Sequence, residues 1–184
     1  MINYQIVKAY GYKLSLLFVL WTLVLIPVCM AGSVEKKIDS EAIVEAHNKW
    51  RSRVGVPDLQ WSPELARMAR QWANTLKTRN CRLEHSGREG YGENIFRASA
   101  VIWSDGRREI QEITPEKVVD SWGSEVKNYN YETDTCSGVC GHYTQIVWEE
   151  TRKVGCGMAV CEDKSQVWVC NYYPPGNYVG KKPY

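Results

Sequence analysis

Gly141-His142-Tyr143-Thr144-Gln145-Ile146-Val147-Trp148 is the stretch on which the fold of this chain turns. Its first half carries an imidazole and three hydrogen-bonding side chains. Its second half is the apolar run Ile146-Val147-Trp148. A half-polar, half-apolar segment of this kind suits the wall of a site anchored in a core. The C-terminal run Cys170-Asn171-Tyr172-Tyr173-Pro174-Pro175-Gly176-Asn177-Tyr178 follows it.

Upstream, the punctuation is helical. Asp39 can cap a helix carrying Ile43, His47, Trp50 and Val54 on one face, stopped by Gly55. Ser62-Pro63-Glu64 starts a second helix, with Ser62 as cap and Pro63 in the first helical position. Its Leu65, Met68, Ala69, Trp72 and Leu76 recur at three and four, a core stripe. Thr114-Pro115-Glu116 repeats the start signal for a helix bearing Val118, Trp122 and Val126. Leu59-Gln60-Trp61 and the runs Val154 to Cys161 and Gln166 to Tyr172 are strand candidates. Helices first and strands last predict an α+β domain. Between Arg97 and Glu112 lies a loop with the apolar trio Val101-Ile102-Trp103, either a tolerated insertion or a contact for lipid or a partner.

Residues 1–31 read as a secretory signal. Lys8 and Lys13 are their only charges, Leu14 to Ile26 is almost unbroken apolar, and Cys29-Met30-Ala31 offers small residues for cleavage after Ala31 or Ser33. A retained anchor is the alternative, since Leu14 to Ala31 spans 18 residues. Ile26-Pro27-Val28-Cys29 only weakly resembles a bacterial lipidation box, because Val28 is too large for its position. Residues 32–184 then form one domain large enough for a real core. Of 23 basic residues two lie in the leader, and the remaining 21 balance 21 acidic ones. Nothing in that balance suggests nucleic acid or a strongly anionic membrane as a partner. Lys36-Lys37 and Lys181-Lys182 read as solvated ends.

Six cysteines remain once Cys29 leaves with the leader, an even set that implies disulfides in an oxidising compartment. Cys136 and Cys140 can close a small loop. The two C-terminal runs look like a hairpin turning on Glu162-Asp163-Lys164-Ser165. With Cys161 opposite Gln166, Cys156 falls beside Cys170, and a bulge or twist would join them. Elimination leaves Cys81 with Cys161. These spacings do not form the close pairs of a zinc ribbon or finger.

The His142 segment and the Cys170 segment together resemble the two signatures of the CAP superfamily: cysteine-rich secretory proteins, antigen 5 and pathogenesis-related proteins. The resemblance runs from about Asp39 to Tyr184 and is nearest the single-domain pathogenesis-related type. It implies an α-β-α sandwich with helices on both faces of a central antiparallel sheet, stapled by disulfides. Plant-type members share the pairing reached above. In the superfamily the residues matching His85, Glu93, Glu125 and His142 converge in a central cleft, and all four are present.

Two imidazoles and two carboxylates can bind Zn2+ or a similar divalent ion, with the carboxylates as ligands or as orienting partners. A polar cluster whose members satisfy one another is the plainer reading. A zinc-bound water beside a glutamate can in principle hydrolyse an ester or amide. Yet the chain has no His-Glu-x-x-His helix and no Gly-x-Ser-x-Gly elbow, and Ser86 following His85 does not make a nucleophile–base pair. His47, on the apolar face of its helix, reads as a core residue; Glu84 and Glu89 read as solvent-facing.

The leading expectation is therefore a secreted binding protein in defence, host interaction or extracellular signalling. Its partner would be an extracellular protein or, as the resemblance implies, a sterol or fatty-acid-like lipid in an apolar groove near Met68 and Trp72. A metal-assisted hydrolase is the second expectation. The third is a peptide precursor, because Pro174 to Tyr184 has the form of the signalling peptide released from plant pathogenesis-related members. The same residues also suit an extended tail packed on the domain. A retained leader or a bacterial source would instead place the chain on a membrane or in a periplasm.

Overall fold

A computed structural model describes residues 38–184. The leader, its alternatives and the cleavage position fall outside them. The four helices are α1 (Ser40–Ser52), α2 (Pro63–Thr78), α3 (Pro115–Gly123) and α4 (Gly141–Ile146). The strands are β1 (Gln60–Trp61), β2 (Gly92–Ala98), β3 (Val101–Ile102), β4 (Arg108–Glu109), β5 (Tyr129–Asn130), β6 (Thr135–Cys136), β7 (Lys153–Val160) and β8 (Gln166–Tyr173).

Three helices begin where their caps predict. Asp39 Oδ1 accepts from the N–H groups of Glu41 and Ala42 at 3.0 and 3.1 Å. Ser62 Oγ accepts from Leu65 N and Thr114 Oγ1 from Lys117 N. Each bond satisfies a donor left open by the first turn. Two expected core positions fall outside the helices. Val54 lies beyond the end of α1 and is half-buried. Val126 sits on the 3₁₀ turn Ser124–Asn128 and is exposed, because three residues per turn rotate it off the α3 stripe.

The main sheet has the order β1-β7-β8-β2. Its three long strands are antiparallel, and the short β1 joins β7 in parallel. Val154, Cys156, Met158, Trp168, Cys170 and Tyr172 share one core with Ile43 and Trp50 of α1, Val118 and Trp122 of α3, and Ile146 of α4. Ala159, Val167 and Val169 turn the other way, onto Ala69, Ala73 and Leu76 of α2. This is the α-β-α sandwich. On the α2 side the helix backbone comes very close to β7. A Cβ on Gly157 would stand 2.3 Å from Arg70 N, and one on Gly155 2.2 Å from Ala66 N. Only glycine fits there.

The hairpin register differs by one residue from the expected one. Val160 opposes Gln166, so Cys156 stands directly across from Cys170 and no bulge is needed. Cys161 N donates to Ser165 O, and Lys164 takes a positive φ of 66°, closing a three-residue loop. The pairs Cys81–Cys161, Cys136–Cys140 and Cys156–Cys170 are all formed. The loop after β2 is a small hairpin of β3 and β4, in which residues 101–110 are all exposed. Among the described residues no helix is long and apolar enough to cross a membrane.

Candidate functional site

Two of the elements, a loop and the C-terminal tail converge on one cleft of about 260 Å³, lined by His85, Glu93, Asn94, His142 and Asn177 among others. His85 stands on the loop that leaves Cys81, four residues beyond a disulfide to the β7–β8 turn. Glu93 and Asn94 come from β2, His142 from the first turn of α4 and Asn177 from the C-terminal tail. Three of the four residues expected at the site therefore line it. Glu125 does not line the cleft and reaches it through His142.

The two imidazoles are held alike. His85 Nδ1 lies 2.8 Å from Glu93 Oε1, and His142 Nδ1 lies 2.7 Å from Glu125 Oε1. A carboxylate on Nδ1 fixes the tautomer and leaves Nε2 as the lone-pair nitrogen. Glu93 Oε1 also accepts from Ser86 N at 2.9 Å, while its buried Oε2 has no partner. Glu125 Oε2 accepts from the N–H groups of His142 and Tyr143, at 3.0 and 3.4 Å. One carboxylate thus caps α4 and orients its histidine. The Trp122 ring stacks against the His142 imidazole at 6.1 Å between centroids.

The carboxylate on His85 raises its pKa above the ordinary value, against an opposing effect of partial burial. His47 behaves oppositely. Fully buried, it falls to about 4, chiefly through desolvation, with Arg51 adding to the effect. Its Nδ1–H donates to Ile43 O, and Nε2 accepts from the Tyr172 hydroxyl. It is the hydrogen-bonded core residue expected. Glu84 is exposed and paired with Arg79 at 3.1 Å, and Glu89 is exposed. Ser86 Oγ accepts from Arg88 N, a turn contact. Among the described residues no three His, Cys, Asp or Glu side chains are grouped closely enough to hold a metal ion. Any ion here would rest on the two Nε2 atoms and on groups it brings with it.

Three supporting residues were not foreseen. Asn94 donates to the His142 carbonyl and to Tyr172. Buried Arg51 donates to the carbonyls of Pro57, Ile146, Trp148 and Thr151, fastening α1 to the end of α4; burial lowers its pKa to about 10. Asn177 clasps α4 by donating to Gly141 O and accepting from Thr144 Oγ1. An arginine on the stripe of Ile43, His47 and Trp50 was the available signal for Arg51. The two asparagines gave none, since their partners lie far along the chain.

The tail after β8 is packed on the domain. Pro183 O accepts from Glu149 N, Tyr131 donates to Tyr184 O, and the rings of Tyr131 and Tyr184 stack at 4.7 Å. Met68 is buried, and Trp72 packs on the α2 core with its Nε1–H donated to Glu84 O.

Residues 44–172 match the model of the cysteine-rich secretory protein family, CAP. Pathogenesis-related protein 1 of Arabidopsis thaliana is 44% identical over 141 residues, 77% of this chain and 80% of that protein. Venom allergen-like protein 4 of Schistosoma mansoni superposes with a TM-score of 0.60 at 29% identity, over 79% of this chain and 92% of its own. NaASP2, solved with Zn2+, gives 0.59 at 26% identity, over 83% and 90%. With three disulfides of the kind found in extracellular proteins, the sandwich and these matches lead to one conclusion: the chain belongs to the CAP family.

Proposed function

We propose that this protein is a secreted, defence-related member of its family that acts by binding, and that its cleft takes up a divalent cation, zinc foremost, through Nε2 of His85 and His142. The observation that carries the reading is the matched pair of Nδ1–carboxylate bonds. They leave both lone-pair nitrogens to the cleft, the arrangement that orients metal-ligating histidines elsewhere. The unpartnered Glu93 Oε2 adds a buried acceptor at the same wall. The name of the plant relative supports the defence role, and the zinc-bearing NaASP2 structure supports the cation.

Bound there, zinc would supply a positive charge and open coordination positions. Glu93 and Glu125 would keep the imidazoles aimed, Trp122 would hold the His142 ring in its plane, and Asn94 would fix its main chain. The Ser86 hydroxyl beside His85 is engaged with Arg88 N, which favours binding over turnover. A sterol or fatty-acid-like partner has only the resemblance behind it, since Met68 and Trp72 are used in packing. Titration calorimetry with zinc at neutral pH tests the proposal: binding should be present in the wild type and lost in His85→Ala/His142→Ala. Unchanged affinity in that variant would overturn it. Chelation should leave the fold intact, because the disulfides and core hold it without metal.

A further inference from the structure

α1 and β1 flank a second, open groove of about 520 Å³. Its floor is apolar, with Leu59 buried and Val44 and Trp61 half-buried. The charged residues lining it are Glu41 and Glu45, one turn apart on α1 and both exposed; no lining residue is basic.

β1 lies at an edge of the sheet. On its inner side Gln60 N and Ser62 N donate to the carbonyls of Arg152 and Val154, at 2.9 and 2.8 Å. Main-chain polar groups alternate in direction along a strand, so those of Leu59 and Trp61 face the groove. The Leu59 pair is occupied. Asn48 Oδ1 accepts from Leu59 N at 2.8 Å and Asn48 Nδ2 donates to Leu59 O at 3.2 Å. The Asn48 carboxamide thus stands where the peptide group of a neighbouring strand would. The next rung, the N–H and C=O of Trp61, has no such partner among the described residues.

We propose that this groove binds an extended peptide segment bearing lysine or arginine, which adds to β1 as a fifth strand. Three features converge on that occupant. The open rung at Trp61 recognises a main chain, as exposed sheet edges do. The floor of Val44, Leu59 and Trp61 receives an apolar side chain. Glu41 and Glu45 select for positive charge beside it. A lipid chain would satisfy the floor but leave the rung and both carboxylates unanswered. The proposal does not depend on the cation cleft, which lies among other residues.

The test uses the oxidised protein labelled with ¹⁵N and the probe acetyl-Lys-Val-Lys-Val-Lys-amide. Titration should shift the main-chain amide of Trp61 and its neighbours, with Glu41→Gln/Glu45→Gln weakening affinity roughly fivefold. Both substitutions are at exposed positions, and the retained amide resonances will show that the fold is intact. The Val-Glu counterpart should fail to bind. A version of the probe methylated on its peptide nitrogens, with charge preserved, should also fail. Equal binding of the acidic or the methylated peptide, or shifts that avoid Trp61, would overturn the proposal. Sedimentation showing self-association that the double glutamine variant abolishes would assign the groove to a second copy of this chain instead, and would equally overturn it.

Discussion

The Asn94 carboxamide donates 3.1 Å to the main-chain carbonyl of His142, joining the central sheet to the wall of the cleft. Its second donated bond goes to the Tyr172 hydroxyl, which in turn donates to His47 Nε2. The main chain of half-buried His142 and the imidazole of His47 sealed in the core are thereby connected through two side chains.

His85 should titrate above the ordinary histidine value in an NMR experiment, because protonation strengthens its bond to Glu93. Glu93→Gln should return it toward 6.5. The sign for stability follows. The protonated pair stabilises the fold below the unfolded-state pKa of 6.5, and this contribution is lost as pH rises through the higher folded value. Zinc must displace the same proton, so its affinity should fall as pH drops through that value. A wild-type pKa at or below the ordinary value would sink this account.

His47 works in the opposite direction. Its folded pKa of about 4 lies below the unfolded value, so stability is full above pH 6.5 and declines as pH falls from 6.5 toward 4. The loss should reach about 3 kcal/mol over that window. Urea unfolding at pH 7 and pH 4.5 should show a slope that His47→Gln largely removes. The same slope in both proteins would assign it to other groups.

Arg51→Met should destabilise the protein by about 3–5 kcal/mol, since four carbonyls, those of Ile146, Trp148 and Thr151 buried, would lose a charged donor at once. Arg51→Lys should recover little, because one ammonium cannot span the positions reached by the guanidinium fork. Denaturant midpoints for the three proteins decide the matter, and full rescue by lysine would argue against the geometric reading.

Gly157→Ala should cost about 1–3 kcal/mol by pushing α2 off β7, as the added carbon meets helix backbone rather than a movable side chain. Calorimetric melting of the variant checks this. A melting temperature equal to that of the wild type would mean that the helix can retreat freely.

What was legible in the sequence is what its local chemistry controls. Asp39, Ser62-Pro63 and Thr114-Pro115 announce their helices because a cap bonds within three residues of itself. The cysteine pairs and the C-terminal hairpin could be read from spacing, although the tight loop at Lys164 moved the register by one. α4 was not announced. It is six residues long, Cys140 offers it no side-chain cap, and the carboxylate that caps it comes from Glu125. β2 was missed as a strand because Gly92-Glu93-Asn94 puts polar residues where a buried strand usually shows branched ones. The cleft residues could be named from the family pattern. Their roles depend on partners brought together by folding, which is why Glu125 emerged as an orienting group behind His142.

The strand order β1-β7-β8-β2 has a consequence for the birth of the molecule. Among the described residues β8 is the last strand in the chain, yet it lies inside the sheet, and β2 pairs with it alone. During synthesis β2 must wait, unpaired, until residue 173 has left the ribosome. The closing contacts of Pro183 and Tyr184 come later still. A fragment ending before β8 therefore lacks the strand that joins β2 to β7. The sheet can close only once β8 has emerged, in the slow regime of long-range strand pairing, and a nascent chain stalled before β8 would be open to proteases.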